Sequence, residues 1–277
     1  VMVDEHPAES IPDAPTAEDV ATVKRMIGPL QKLINPKIYG IENVPQRHAL
    51  LVGNHTTLGG LDIPLICAEL WERGAMVRAL GDNAHFKIPG FRDALLSFGV
   101  VPGTRANTSE LMQRGELVLV FPGGGREVAK RKGEQYKLIW KNRMGFARLA
   151  IQHGYPIIPF ASVGVEHGMD IILDADSKLL SPVAKLVKTV LGYSDTSPIV
   201  RGIGPTPIPR PERQYYWFGE PIDTTPYAGR QEEDAAAHAV RDQAAAAIEG
   251  GIEFLLAERE NDPNRSIVKR LLGPERR

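Results

Sequence analysis

The 277-residue chain predicts an α/β fold, a largely parallel central sheet flanked by helices, with an amphipathic helix before it and a helical segment after it. Short apolar runs of strand length alternate with stretches of helical spacing. A hydrophobic content of 43% is enough to build one sizeable core. Polar and glycine-rich motifs also stand at the ends of the apolar runs, where open parallel sheets gather their ligands.

Residues 1–16 are acidic and proline-bearing and read as a disordered tail rather than a signal peptide. Val20, Val23, Ile27, Leu30 and Ile34 then recur at helical spacing among Lys24, Arg25 and Lys32, giving an amphipathic helix over 17–35 that ends near Asn35-Pro36. The plain expectation is a helix laid on its own domain, and a membrane-surface helix is the alternative.

An α/β domain is expected over 36–225. Its strands read as Ala49–Val52, Met76–Leu80, Leu117–Phe121, Ile157–Ser162 and Tyr215–Gly219. Its helices read as Leu61–Glu72, Phe91–Ser97, Thr108–Arg114 and Lys141–His153, the last closed by Gly154. An insertion near 171–211 breaks this rhythm, carrying a stripe of Leu179, Leu180, Val183, Leu186, Val187, Val190 and Leu191 beside Lys178, Lys185 and Lys188, then a proline-rich run. It reads as a lid or as a helix lying on a surface. The C-terminal segment, 226–277, is alanine-rich and helical over Asp234 to Glu258, with a kink expected at Gly250-Gly251.

Lys plus Arg (33) balance Asp plus Glu (34), so the net charge of −1 gives no electrostatic case for a nucleic-acid partner. The single cysteine, Cys67, excludes an internal disulfide and a thiolate metal cluster and reads as a buried small hydrophobe. No segment approaches the roughly 18 apolar residues of a membrane span, so the expected location is cytoplasmic, peripheral at the inner face of the membrane.

Two motifs together suggest acyl transfer. His55 ends the run Ala49-Leu50-Leu51-Val52-Gly53-Asn54, where an imidazole can take a proton from an alcohol, and Asp62 follows on the next helix's first turn, where a carboxylate can fix the tautomer. The turn Phe121-Pro122-Gly123-Gly124-Gly125-Arg126-Glu127 can open backbone N–H groups to an anion. Arg105, ending Gly99 to Arg105, offers a fork of donors to a phosphate or carboxylate. Lys130, Arg131, Lys132, Lys137, Lys141 and Arg143 form a basic set that is either a solvated face or an attractor of coenzyme A phosphates or anionic lipid. No Gly-x-Ser-x-Gly elbow, nucleotide P-loop or His-Glu-x2-His motif is present.

The order of motifs resembles the glycerolipid acyltransferase superfamily, in particular its phytyl ester synthase and diacylglycerol acyltransferase-like branch. The resemblance runs over roughly 36 to 225, through Val52-Gly53-Asn54-His55 with Leu61-Asp62, His85-Phe86-Lys87-Ile88-Pro89-Gly90, Gly99 to Arg105, Phe121 to Glu127, Tyr136 to Phe146, Tyr155 to Pro159 and Phe218 to Ile222. It implies that His55 is the general base and Asp62 its orienting partner, with Asn54, Arg105, Gly123, Gly124, Gly125, Arg126 and Glu127 binding substrate. The usual family motif spaces His and Asp by four residues, and this chain has six, Thr56 to Leu61. The phospholipid-type enzymes carry Glu-Gly-Thr-Arg where this chain has Gly123-Gly124-Gly125-Arg126, which leaves a neutral alcohol as open an acceptor as a glycerol phosphate.

The expected function is therefore a membrane-associated O-acyltransferase that moves a fatty acyl group from acyl-CoA or acyl-carrier protein to a lipid hydroxyl, with no cofactor beyond the donor. An esterase or thioesterase on the same scaffold, or an acyl-lipid binding protein without catalysis, are the alternatives.

Overall fold

The computed structural model of the chain describes residues 11–57, 62–88, 90–174, 177 and 198–272, with only the backbone of Asp62, Leu271 and Leu272. A seven-stranded sheet forms its centre, in the order β1-β9-β6-β2-β5-β3-β4. The strands are β1 (Lys37–Tyr39), β2 (Ala49–Gly53), β3 (Val77–Gly81), β4 (Val101–Pro102), β5 (Leu117–Val120), β6 (Ile157–Val163) and β9 (Tyr215–Phe218). β6, β2, β5, β3 and β4 are mutually parallel, and so are β1 and β9, while β9 meets β6 antiparallel. The sheet is thus largely parallel, as the alternation of apolar runs with helical segments implies.

β2 sits in the middle of the sheet because all five of its residues are apolar or small and all are buried. Leu50 and Val52 face one layer, packed with α4 (Arg105–Gln113), α6 (Gly145–His153) and α7 (Asp234–Asn261). Ala49 and Leu51 face the other, with α1 (Ala17–Ile34) and α2 (Asp62–Glu72). Each fully buried leucine or valine contributes roughly 1.5–3 kcal/mol. The register of β2 is therefore held from both faces, and so is the position at which it ends.

α1 starts at a capping box, in which the Thr16 side chain accepts from the Asp19 N–H and Asp19 accepts from the Thr16 N–H. Its apolar stripe packs on α2, where Val23 is buried, Lys24 pairs with Glu72 at 2.9 Å and Gln31 donates to Glu69. The helix lies on its own domain. Residues 11–16, expected to be disordered, are fixed: Ile11 is buried, and the Pro12 carbonyl accepts from Arg78 Nη2 at 2.8 Å. Buried Arg78 pulls this segment in because its Nε also donates to the Gly99 carbonyl at 2.9 Å and its Nη1 pairs with Glu116 at 2.7 Å.

Other boundaries differ for identifiable reasons. α4 starts at Arg105 rather than Thr108 because the Thr104 hydroxyl caps the Asn107 N–H. α6 starts at Gly145 rather than Lys141, where Lys141 takes the left-handed φ of 51° that ends regular structure. Gly154 closes α6 with φ 63°, as expected. The segment Phe121 to Glu127, read as an open turn, runs into a one-turn helix, α5 (Gly124–Val128). Gly250-Gly251 lies inside the uninterrupted α7, and a Cβ on Gly251 would stand 2.4 Å from the Trp217 ring. That glycine serves close packing, not a kink.

The short helix α3 (Phe91–Ser97) follows β3, and α8 (Ile267–Leu272) ends the described chain. β7 (Asp170–Leu173) and β8 (Ile199–Arg201) form a separate antiparallel pair within the expected insertion. Its apolar stripe, Leu179 to Leu191, falls outside the described residues. Cys67 is buried, as its reading as a small hydrophobe requires.

Candidate active site

Five parallel neighbours share one carboxyl edge, and their order brings distant sequence segments together there. His55 follows β2, the Phe121 to Glu127 segment follows β5, His85 follows β3, Arg105 follows β4 and Glu166 follows β6.

The His55 ring stacks on Phe121, with centroids 4.5 Å apart and planes 28° from parallel. Gly53 makes this approach feasible, since a Cβ there would lie 2.5 Å from the Phe160 ring and 3.2 Å from that of Phe121. Burial pushes the imidazole down from 6.5 to about 3, and Lys130 and then His85 add repulsion against a second positive charge. His55 therefore rests neutral. Its Nδ1 is buried and has no hydrogen-bond partner among the described residues. Asp62, the expected partner, is the first residue of α2.

Asn54 is fully buried, and the backbone of β6 occupies its amide: Nδ2 donates to the Ser162 carbonyl at 3.0 Å and Oδ1 accepts from the Ser162 N–H at 2.8 Å. Expected among the substrate-binding residues, Asn54 instead ties the ends of β2 and β6 together. Beneath the loop lies a group that the basic run concealed. Lys130 is fully buried, with Nζ 2.6 Å from Glu166 Oε1 and 2.9 Å from the His55 carbonyl. Glu166 also accepts from the Thr57 N–H at 3.2 Å and the Tyr136 N–H at 2.8 Å. Lys130 is thus neither a solvated cation nor a phosphate attractor. An acidic residue three positions after the end of β6, and a lysine directly after Val128-Ala129, are the sequence signals that point to such a pair.

The glycine segment makes room for side chains. A Cβ on Gly123 would stand 1.9 Å from Glu127 Oε2, so the absence of a side chain at 123 is what lets Glu127 fold inward. Glu127 is buried, and neither oxygen has a hydrogen-bond partner among the described residues. Burial raises its pKa from 4.5 to about 7, opposed by Lys130 and by the nearby N–H groups of His55 and Ile139. Gly124 takes the left-handed φ of 49°, and the neighbouring Arg143 donates Nη1 to the Pro122 carbonyl at 2.7 Å and also to that of Gly123. Gly125 is the second residue of α5, and its carbonyl accepts from the Ala129 N–H at 2.9 Å.

The arginines divide. Arg126 is committed to Glu134 at 2.6 Å and to the Ala129 carbonyl at 3.2 Å. Arg105 is exposed at the first position of α4, and among the described residues no carboxylate neutralises it.

Residues 35–163, the stretch that carries this edge, match the family model described as Acyltransferase. This stretch is an acyltransferase-family domain. The chain is 31% identical to phytyl ester synthase 1, chloroplastic, of Arabidopsis thaliana over 84% of its own length and 36% of that protein's. It is 35% identical to the DGAT1/2-independent enzyme synthesizing storage lipids of Mus musculus over 48% of this chain and 40% of that one. The chain thus spans well under half the length of these curated relatives. Among solved structures, the 1-acyl-sn-glycerophosphate acyltransferase PlsC of Thermotoga maritima matches with a TM-score of 0.49 and 18% identity, covering 86% of this chain and 80% of that one.

Proposed function

We propose that this acyltransferase-family chain transfers a fatty acyl group from an acyl-CoA or acyl-carrier-protein thioester to a lipid hydroxyl, with His55 as the general base. The observation that carries this reading is the imidazole itself: neutral, stacked on Phe121 and held at the shared edge with an Nδ1 that has no hydrogen-bond partner among the described residues. In the Nδ1–H tautomer, Nε2 takes the hydroxyl proton as the alcohol oxygen attacks the thioester carbonyl carbon. The tetrahedral intermediate collapses, the C–S bond breaks, and the sulfur leaves with that proton as the free thiol. A base with so low a pKa is weak, and a carboxylate on Nδ1 lifts it by stabilising the imidazolium. Asp62, at the start of α2, is the proposed source of that carboxylate.

Arg105 is the proposed ligand of the donor's phosphates, because its charge is exposed and meets no carboxylate among the described residues, with the Gly123 to Glu127 segment bounding the acyl-transfer site. A lipid acceptor is supported by exposed apolar Ile88 and Phe91, which follow β3, with the Phe91 ring edge-on to His85 at 5.7 Å. No helix among the described residues is long and apolar enough to cross a membrane, and we propose peripheral association at the inner membrane face. The chemistry uses no cofactor.

The test is thiol release from a long-chain acyl-CoA, and from acyl-carrier protein, with and without dispersed diacylglycerol, lysophospholipid or fatty alcohol. Release that needs one acceptor and falls by about 10²–10⁴-fold in a folded His55→Ala variant is expected. Acceptor-independent release means a hydrolase, and unchanged release in His55→Ala removes the base.

A further inference from the structure

We propose that the Lys130–Glu166 ion pair is a positioning clamp for His55, acting on the backbone of the His55 loop rather than on its ring. The inference rests on the function proposed above for what His55 does, and on geometry alone for what holds it.

Both side chains are 1% exposed. A buried ion pair is a poor way to gain stability, since desolvation offsets most of the Coulombic attraction and apolar residues of similar volume serve as well or better. What apolar residues cannot supply is the set of main-chain contacts seen here. Lys130 Nζ donates to the His55 carbonyl, and Glu166 takes the Thr57 N–H on the same oxygen that meets Lys130. The pair thus grips the loop at the carbonyl of 55 and the amide of 57, on either side of one residue. The other Glu166 oxygen takes the N–H of Tyr136, a residue held at a left-handed φ of 58°, and the Tyr136 hydroxyl accepts from the Gly164 N–H at 3.2 Å. A bulky residue persists in that conformation only where its surroundings fix it. Three segments that are remote in sequence, after β2, after α5 and after β6, therefore converge on one pair. Asn54 adds the second tie, to Ser162. Phe121 fixes the plane of the ring, and the clamp fixes its root.

The decisive variant is Lys130→Met/Glu166→Gln, which removes both charges, keeps one side-chain oxygen to accept from either Thr57 or Tyr136, and deletes the donor to the His55 carbonyl. We expect kcat to fall by about 10²-fold, the scale of an ångström-level misplacement, with KM within about twofold. Introduced into His55→Ala, the same pair should change residual turnover by less than about twofold, because a positioning residue has nothing left to position. A merely structural role would lower both backgrounds alike, and that result would overturn the clamp. Ring-nitrogen NMR of labelled histidine gives a readout independent of turnover. The His55 signal should shift or broaden in the double variant, and an unchanged signal together with an unchanged kcat would overturn the proposal. If the wild type transfers no acyl group, the proposed function fails while the NMR arm still decides the clamp. If the double variant does not fold, amide exchange in the wild type decides. Protection of Thr57 and Tyr136 at the level of β2 supports the clamp, and exchange at loop rates removes it.

Discussion

His55 and Phe121 stand at the ends of adjacent parallel strands, and their rings stack 4.5 Å apart. The contact joins two motifs 66 residues apart into one site. It gives the imidazole a fixed plane and an apolar floor, which excludes water from one face. Phe121→Leu should keep the fold at a cost of about 1–2 kcal/mol. It should lower turnover and let the imidazole titrate at higher pH as water reaches it. A melting curve with an NMR titration of His55 checks both, and an unmoved titration would mean that Phe121 only fills space.

The direction of the His55 shift sets the acid side of the pH profile. Its pKa falls from 6.5 to about 3 on folding, because burial and the Lys130 and His85 charges disfavour the imidazolium. The unfolded chain therefore binds this proton first as pH drops. The contribution to stability is whole above 6.5 and is lost as pH falls below it. For catalysis, an imidazole with no carboxylate on Nδ1 should give kcat/KM no inflection at 6.5 and let it hold down to about pH 5, and a carboxylate that reaches Nδ1 moves the inflection up from there. A profile from pH 4.5 to 8.5 tests this, and a base-like limb centred on 6.5 would contradict the bare imidazole.

Glu127 has the opposite sign. Its pKa rises from 4.5 to about 7, so the folded state holds a proton that the unfolded chain has released, and stability declines as pH rises from 4.5 through 7. Glu127→Gln should be more stable than the wild type by roughly 1–3 kcal/mol at pH 8, with the difference closing toward pH 5. Thermal melts of both proteins at three pH values are sufficient, and a pH-independent difference would place the proton elsewhere.

How far this site was legible before the fold depended on whether its parts interact locally. The strand leading into His55 was readable because an unbroken apolar run marks a buried strand, and its end marks the sheet edge. β1 and β4, three and two residues long, are too short for any periodicity and escaped notice. The glycine segment was read through its backbone, whereas the close approach of Glu127 to Gly123 depends on a side chain folding back over one turn. Lys130 was grouped with its basic neighbours because its partner, Glu166, lies 36 residues away and only strand order brings them together.

The Gly123–Glu127 contact can be tested by a mutant cycle. Gly123→Ala puts a methyl group where Glu127 Oε2 and Cβ now lie, at 1.9 and 2.4 Å, and neither atom can yield without the carboxyl leaving its pocket. The substitution should cost about 1–3 kcal/mol, and Glu127→Gly, which removes the Cβ as well as the carboxyl, should suppress most of that loss. Additive losses would show that the strain falls on the backbone instead.

Arg105 and Arg126 should separate binding from local structure. The fold pairs Arg126 with Glu134, both partly buried, so Arg126→Gln leaves a carboxylate unmatched and loosens the 126–134 segment. Its expected signature is a lower melting temperature with a modest rise in KM. Arg105 is exposed at the start of α4 and pairs with no carboxylate among the described residues, so Arg105→Gln has little native structure to lose. It should leave the melting temperature within about a degree, since exposed substitutions of this kind usually lie within about 0.5 kcal/mol. The KM for acyl-CoA should rise by about tenfold, the loss of one charge-assisted phosphate contact of about 1.5 kcal/mol. Coenzyme A alone, titrated calorimetrically against both variants, isolates binding from chemistry. If Arg126→Gln loses coenzyme A and Arg105→Gln does not, the guanidinium that meets the phosphates is the one now held by Glu134, and that ion pair must open when the donor arrives.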